Sequence, residues 1–552
     1  MRLGYPAIII FLAAAYLGLW RLDNTVFWDD ETETAIIAKN LLKFGHLTGW
    51  DERNLFAYSN GSLLDDNLRP RNSPLGYIVT AVSFRVFGIS TWSGRFPFVL
   101  AGLGCLVLLA LALREDFGRD SPLWIYGVAS LAFSVSFLLN IRQCRYYSLA
   151  MFFSMLTYVF YRRCLRSGRL IYFIFLPFAA VLLFYSNFLL CAAFLLGLSL
   201  VCVVFHRSEL WKSRLKFFLA GSLFVLATVP YSVYYRVWYR PDIVSREIWY
   251  IRKPILIWWN FRDLNLLGVM PWIAAVGLFC FMLYYWRQQK NIRMMVEWVV
   301  LTSGYVLFLA LFSPQATDVT EIADLRYLVL TIPFLAGLTG MFLWFIHQRT
   351  RLGAFVVLAV ITTTNLLGIT PKDWKFRWFL PAYVKEIHHS YPTAYGEAVR
   401  FLQENAQQDD KVFAWPDCTN YPLMFYLGDK VKMCCLLNAQ TTLPPAKTGN
   451  LSAPLMAEEN FPDWIVFFRW LPGDKELLKH FSRPYVQEMR QVQFRYRSVK
   501  LIYVYGEDTT RPELSLHSFG PKTNYNRKNE AVYVLKKSVI ERRPLDDIMQ
   551  SK

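Results

Sequence analysis

Apolar runs of roughly 16 to 22 residues recur through the first two thirds of this 552-residue chain. Each is close to the length a helix needs to cross a hydrocarbon core about 30 Å thick. Eleven spans are expected, at about 4–20, 93–113, 122–139, 147–161, 170–186, 187–205, 217–235, 263–286, 296–312, 325–346 and 352–369. The first has Arg2 and a small-residue stretch, Ala13-Ala14-Ala15, as a secretory signal would. It leads into Leu17, Gly18, Leu19 and Trp20 with ten more spans behind it, which favours an uncleaved anchor. The fold class that follows is an α-helical polytopic membrane protein of about 11 transmembrane helices with interfacial helices at its outer face. A small C-terminal α/β extracytoplasmic domain completes it.

Composition agrees, with 55% hydrophobic and only 18% charged residues. The net charge of +18 carries no basic helix, zinc-ligand spacing or RNA-binding aromatic motif, so no nucleic-acid partner is expected. The excess belongs to loops bordering a membrane. Loop 162–169 holds Arg162, Arg163, Arg166 and Arg169; loop 206–216 holds Arg207, Lys212, Arg214 and Lys216; loop 287–295 holds Arg287, Lys290 and Arg293. With Arg349 and Arg351 and the mixed loop 114–121, these fall on one side of an eleven-span chain. The positive-inside rule makes that side cytoplasmic and puts the segment after residue 370 outside.

The division is therefore a transmembrane domain over 1–370, with an outer catalytic loop at 21–92, and an extracytoplasmic α/β domain over 371–552. The tail has β-rich runs at Lys411–Trp415, Val431–Leu437, Trp464–Phe468, Leu501–Tyr505 and Ala531–Leu535, and a helical stretch around 394–405. Residues 31–44 read as a helix with an apolar face of Ala35, Ile36, Ala38, Leu41 and Leu42, and Pro74–Phe87 as an interfacial helix. Loop 236–262 interleaves Arg236, Arg240, Arg246, Arg252, Lys253 and Arg262 with tryptophans, which suits headgroup anchoring or a phosphate cradle. The nine cysteines form no disulfide framework; one bridge from Cys418 is compatible with an oxidising compartment, and the sequence leaves it open.

The strongest local feature is Phe27-Trp28-Asp29-Asp30-Glu31-Thr32, directly after the first span. Three consecutive carboxylates beside a membrane surface are costly unless solvated, paired or used. One reading is an acidic helix start, favoured by the helix dipole; the other is an active site.

The run Asp30-Glu31-Thr32-Glu33-Thr34-Ala35-Ile36 resembles the Asp-Glu signature of C-type glycosyltransferases, in the branch of the protein O-mannosyltransferases and the bacterial aminoarabinose transferase that modifies lipid A. Asn72-Ser73-Pro74-Leu75-Gly76-Tyr77 looks like that family's proline-led interfacial helix, and Ser93-Gly94-Arg95-Phe96-Pro97 like the opening of its second span. Arg142-Gln143-Cys144-Arg145-Tyr146-Tyr147-Ser148-Leu149 and Arg326-Tyr327-Leu328 with Pro333 resemble later segments, and Arg511-Pro512-Glu513-Leu514 is similar to the tail of some bacterial members. One departure is Arg71-Asn72-Ser73-Pro74, where relatives of the aminoarabinose transferase have Glu-Lys-Pro-Pro.

The resemblance implies transfer of a sugar from a polyprenyl-phosphate donor to a cell-envelope acceptor, with inversion. Asp30 matches the catalytic base, with Glu31 beside it and Asp29 and Tyr147 and Tyr327 as further candidates. Arg145 and Arg326, then Arg69 and Arg71, suit the departing phosphate, because a guanidinium offers a planar, permanently charged fork. Membrane lipids are the other partners. No histidine has an i, i+4 partner of zinc type, no metal residue is assigned, and dependence on a divalent metal stays open. The rival functions are a lipid-linked-saccharide transporter or flippase, disfavoured by apolar span centres and the lack of repeats, and an O-antigen ligase.

Overall fold

The computed structural model describes residues 4–56, 64–65, 67–118, 121–235, 249–264, 290–313, 325–364, 366, 376, 378–389, 393–434, 461–468, 478–479, 481–487, 492–505 and 528–542. The span at 263–286 beyond Leu264, residues 236–248 of the basic loop, Arg287, Cys435, residues 435–437 of the second β run and Arg511-Pro512-Glu513-Leu514 lie outside them. The chain divides into two compact units. Among the described residues one comprises 4–22 and 72–389, the other 23–71 with 393–505 and 528–542.

The first unit is helical: α1 Gly4–Leu19, α3 Leu75–Phe87, α4 Thr91–Phe117, α5 Leu123–Ala132, α6 Val135–Ile141, α7 Tyr147–Ser167, α8 Leu170–Ser186, α9 Phe188–Phe205, α10 Arg207–Lys212, α11 Arg214–Tyr235, α12 Trp249–Asp263, α13 Lys290–Phe312, α14 Thr331–His347, α15 Arg351–Thr363 and α16 Phe379–His388. By length and composition α4, α9, α11 and residues Arg293–Phe312 of α13 can each cross a membrane, and α5 with α6 makes either a broken fifth span or a re-entrant loop. That pair was expected as one helix over 122–139. It bends by 60° because Ser134 breaks the chain and caps α6, its Oγ accepting from Phe137 N at 3.4 Å. Helices α1, α8, α14 and α15 are apolar but shorter. The span expected over 352–369 stops at Thr363, where Thr362, Thr363 and Thr364 turn their hydroxyls onto carbonyls one turn back.

What solvates this unit is legible on its surface. Helix α11 exposes Leu215, Phe218, Leu219, Leu223, Val225, Leu226, Val229 and Val233, and α8 exposes Leu170, Ile171, Ile174, Phe175 and Phe178. Such a surface suits lipid and would aggregate in water. Helix α3 exposes Ile78, Val82 and Val86 at i, i+4, i+8 while burying Tyr77, Thr80, Ala81 and Phe84, as an interfacial helix should.

The basic loops converge. Arg162 Nη1 lies 2.7 Å from Glu297 Oε2 and its Nη2 3.2 Å from Asp116 Oδ1. His206 Nε2 is 3.1 Å, and Arg293 Nε 3.2 Å, from Glu297 Oε1, while Arg166 pairs with Asp116. Three loop regions thus meet at one carboxylate that is 2% exposed, and Arg162 ties in a fourth through Asp116. Glu297→Ala should cost about 3–5 kcal/mol, because it removes the buried carboxylate that the half-buried Arg162 and Arg293 and the buried His206 share. An unchanged thermal midpoint in detergent would show that the cluster contributes nothing net.

The second unit carries a six-stranded mixed sheet of order β2-β1-β3-β6-β5-β4, from β1 Lys411–Trp415, β2 Lys432–Met433, β3 Trp464–Phe468, β4 Tyr485–Gln487, β5 Val492–Tyr505 and β6 Lys528–Arg542. Strands β1, β2 and β3 are parallel, and β6 joins β3 antiparallel. Helices α17 Ala394–Asn405 and α18 Asn420–Leu427 accompany it. Residues 23–56, with α2 Asp29–Phe44, belong to this unit. Asn54 Nδ2 donates to Gly428 O at 3.1 Å and its Oδ1 accepts from Met433 N at 2.7 Å. Arg53 pairs with Asp409 at 2.9 Å, Lys39 with Asp429 at 3.1 Å, and Phe56 packs its ring on Tyr421. The acidic loop is thus pinned to the tail's own fold.

Candidate active site

The three carboxylates form the first turn of α2, which begins two residues earlier than expected, at Asp29. The first ten residues of α2 are all buried, so its expected apolar stripe is only part of what it buries; Leu42 is exposed. Asp29 and Asp30 are 6% exposed and Glu31 0%. Their charge lies where the unpaired N–H groups of the helix present positive potential. Asp29 Oδ1 accepts from Asp30 N at 2.8 Å, and Thr32 N closes the turn on Trp28 O at 3.0 Å. Glu31 reaches back to Trp28 N at a weak 3.4 Å. Asp29 and Glu31 are thus engaged with the local backbone. On the same unit, Arg69 stands on a short turn closed by Asp65, whose Oδ1 accepts Arg69 N at 2.9 Å, and Arg71 follows it.

The arginine-tyrosine segment belongs to the other unit, and its two arginines differ. Arg142 donates to the carbonyls of Gly18 at 3.0 Å, Trp20 at 2.8 Å and Arg21 at 3.0 Å, with a longer bond to Leu17. It is a guanidinium cap on the carbonyl end of α1, joined there by Tyr383 Oη, which donates to Leu17 O at 2.8 Å. Arg95 likewise donates to Leu22 O at 2.9 Å. Arg145 is half-buried, with its guanidinium 5.5 Å from the centre of the Tyr146 ring, and that ring meets the buried Tyr147 edge-on. Arg326 sits on a single 3₁₀ turn, Leu325–Tyr327, just ahead of α14.

Tyr305, on α13, is bonded to the second of these corners, and nothing in the sequence pattern singled it out. Its hydroxyl donates to Tyr327 O. Gln143 Oε1 and Ser148 Oγ are buried with no hydrogen-bond partner among the described residues. Among the described residues these two atoms near Arg145 in sequence have no partner, which suits a polar ligand or ordered water.

Lys253 is neither a headgroup anchor nor part of an open cradle. It is buried, and its Nζ donates to Ala310 O at 3.0 Å and Ser313 O at 2.6 Å, closing the carbonyl end of α13. Burial pushes the Cys434 thiol up to about 12, which makes it a poor nucleophile or metal ligand. Among the described residues no group of three His, Cys, Asp or Glu side chains could hold a metal ion.

This helical assembly with its α/β unit has the fold of the C-type glycosyltransferases, which are multi-span membrane proteins. The structure of ArnT from Cupriavidus metallidurans bound to undecaprenyl phosphate matches with TM-score 0.56 at 15% identity, over 88% of this chain and 96% of that one. Its apo state gives 0.57 at 14% identity with the same coverage. The archaeal oligosaccharyltransferase AglB from Archaeoglobus fulgidus, in complex with an inhibitory peptide and a dolichol-phosphate, gives 0.50 at 10% identity over 87% and 72% of the two chains. No family model matches the sequence, and no curated protein matches it.

Proposed function

We propose that the chain is an inverting glycosyltransferase that moves a sugar from a polyprenyl-phosphate donor to a cell-envelope acceptor (lipid, glycan or protein) on the non-cytoplasmic side of the inner membrane. The observation that carries the reading is the buried acidic first turn of α2 in a chain with this fold. The two matched proteins whose structures hold a polyprenyl or dolichol phosphate support the donor class.

In the reaction the acceptor oxygen attacks the anomeric carbon from the face opposite the phosphate. The new C–O bond forms as the sugar–phosphate bond breaks, and its electron pair leaves on the phosphate oxygen. The acceptor's proton passes to Asp30 as the attack proceeds, with Asp29 and Glu31 flanking it in the same helical turn. Arg145 and Arg326 stabilise the departing phosphate, with Arg69 and Arg71 as additional cations. Tyr147 and Tyr327 line these corners.

The test is transfer of labelled sugar from purified polyprenyl-phosphate donors, in detergent, to lipid and glycan extracts of the cell envelope. Release of free polyprenyl phosphate together with a labelled product is expected. Movement of intact donor across a bilayer without cleavage would instead establish a flippase.

Sidedness has its own test. With Cys418 and Cys435 replaced, Ser167→Cys and Ser208→Cys should be shielded from impermeant thiol reagents in intact cells, and Asp429→Cys labelled. The opposite pattern would put the α/β unit in the cytoplasm and end the proposed orientation.

A further inference from the structure

The residue that precedes the acidic turn is Trp28. It occupies the N-cap of α2 with extended backbone, φ −86° and ψ 176°. Serine, threonine, aspartate and asparagine are favoured there because their side chains accept a helix N–H. An indole has one N–H donor and no acceptor, so the Trp28 side chain contributes nothing to capping. Packing does not demand the N–H either: the preceding Phe27 is wholly buried without a polar atom. Yet Trp28 is only 8% exposed, and its Nε1 is buried with no hydrogen-bond partner among the described residues. Buried indole N–H groups ordinarily find a partner, and a native orphan points to a bound ligand or water.

We propose that Trp28 is a substrate-binding residue whose indole N–H is reserved for an oxygen of the bound substrate. The inference rests on Asp30 as the base. Because indole only donates, the partner atom has a lone pair, as a hydroxyl or phosphate oxygen does; an ammonium group is excluded. Trp28 stands at the N-cap of the helix whose first turn holds Asp30, so the proposal puts this oxygen on a substrate bound at the acidic turn. Burial makes the bond strong and its absence costly, so the site discriminates against substrates lacking that oxygen.

The test compares Trp28→Phe, which removes the N–H, with Trp28→His, which restores one on a smaller ring. Both variants lose volume, and phenylalanine is the closer match in size and polarity. A packing role therefore predicts that Phe outperforms His in both thermal stability and sugar transfer. A reserved donor predicts a crossed order: Phe at least as stable as His, but about 5- to 20-fold slower in transfer than wild type, with His recovering part of the rate. A raised KM for the polyprenyl-phosphate sugar places the oxygen on the donor, and a raised KM for the acceptor places it there. Equal transfer by Phe and wild type overturns the proposal. Should wild type transfer no sugar at all, the enzymatic reading fails separately, and thermal stabilisation by undecaprenyl phosphate decides for Trp28. Stabilisation that is lost in Phe and regained in His upholds it; equal stabilisation in all three proteins refutes it.

Discussion

Asp30→Asn is expected to lower sugar transfer by about 10²–10⁴-fold while leaving the protein folded and able to bind its donor. Asparagine keeps the size of the side chain and its ability to accept a hydrogen bond, but it cannot take a proton from the acceptor. The competing account makes the acidic turn a helix start and nothing more. That account has real substance, because α2 begins at Asp29 and all three carboxylates sit in its first turn. The two accounts rank the variants differently. Asp29 Oδ1 already accepts a backbone N–H, and Glu31 reaches back to Trp28 N, so their contributions are local and structural. Asp29→Asn and Glu31→Gln should therefore cost only about 0.3–1 kcal/mol through the lost dipole interaction, with milder effects on transfer. Under the helix-start account all three changes are alike and none touches catalysis. Transfer rates and thermal midpoints measured side by side settle the ranking, and an active Asp30→Asn protein would remove Asp30 as the base.

Much of the scaffold was readable because its signals are local. Apolar runs gave the helices of the first unit, and the runs at Lys411–Trp415 and Trp464–Phe468 coincide with β1 and β3. Where the reading stopped short, a local rule met a tertiary one. Strand β5 extends back to Val492, although only Leu501–Tyr505 looked like strand. Its first half alternates Phe494 and Tyr496 with Arg495 and Arg497; only Phe494 and Tyr496 are buried, and that pattern pays off only once β6 is alongside. The bend at Ser134 was hidden inside an unbroken apolar run. The candidate site was legible as a set of residue types in order, from Asp30 to Arg326. Partner choice was not. The bonds of Arg142 to the end of α1 span more than 120 residues of sequence, so nothing nearby distinguishes it from Arg145. Tyr305 had no motif to announce it, and Trp28, though inside the acidic run, carried no role of its own there; their interest lies in one hydrogen bond made and one with no partner among the described residues.

That contrast between arginines sharpens the second large effect. Arg145→Ala and Arg326→Ala should each weaken use of the lipid-linked donor by about 30- to 1000-fold, the equivalent of about 2–4 kcal/mol for a charged hydrogen bond to a partly desolvated phosphate. The loss should fall on kcat as well as KM, because the phosphate gains negative charge as its bond to the sugar breaks and the guanidinium is needed most at that point. Lysine at either position should rescue only in part, since it keeps the charge but loses the two-pronged geometry. At Arg145 it also gives up part of the stacking on Tyr146. Arg142→Ala is the control that separates binding from architecture. Its guanidinium holds backbone carbonyls at the end of α1, so its removal should lower the thermal midpoint and reduce transfer only as far as folded protein is lost. Donor-specific kinetic defects at Arg145 and Arg326, with a stability defect at Arg142, are the expected pattern. Wild-type kinetics in both Arg145→Ala and Arg326→Ala would take these residues out of the donor site. The polar capacity left unused at Gln143 and Ser148 would then need a different ligand.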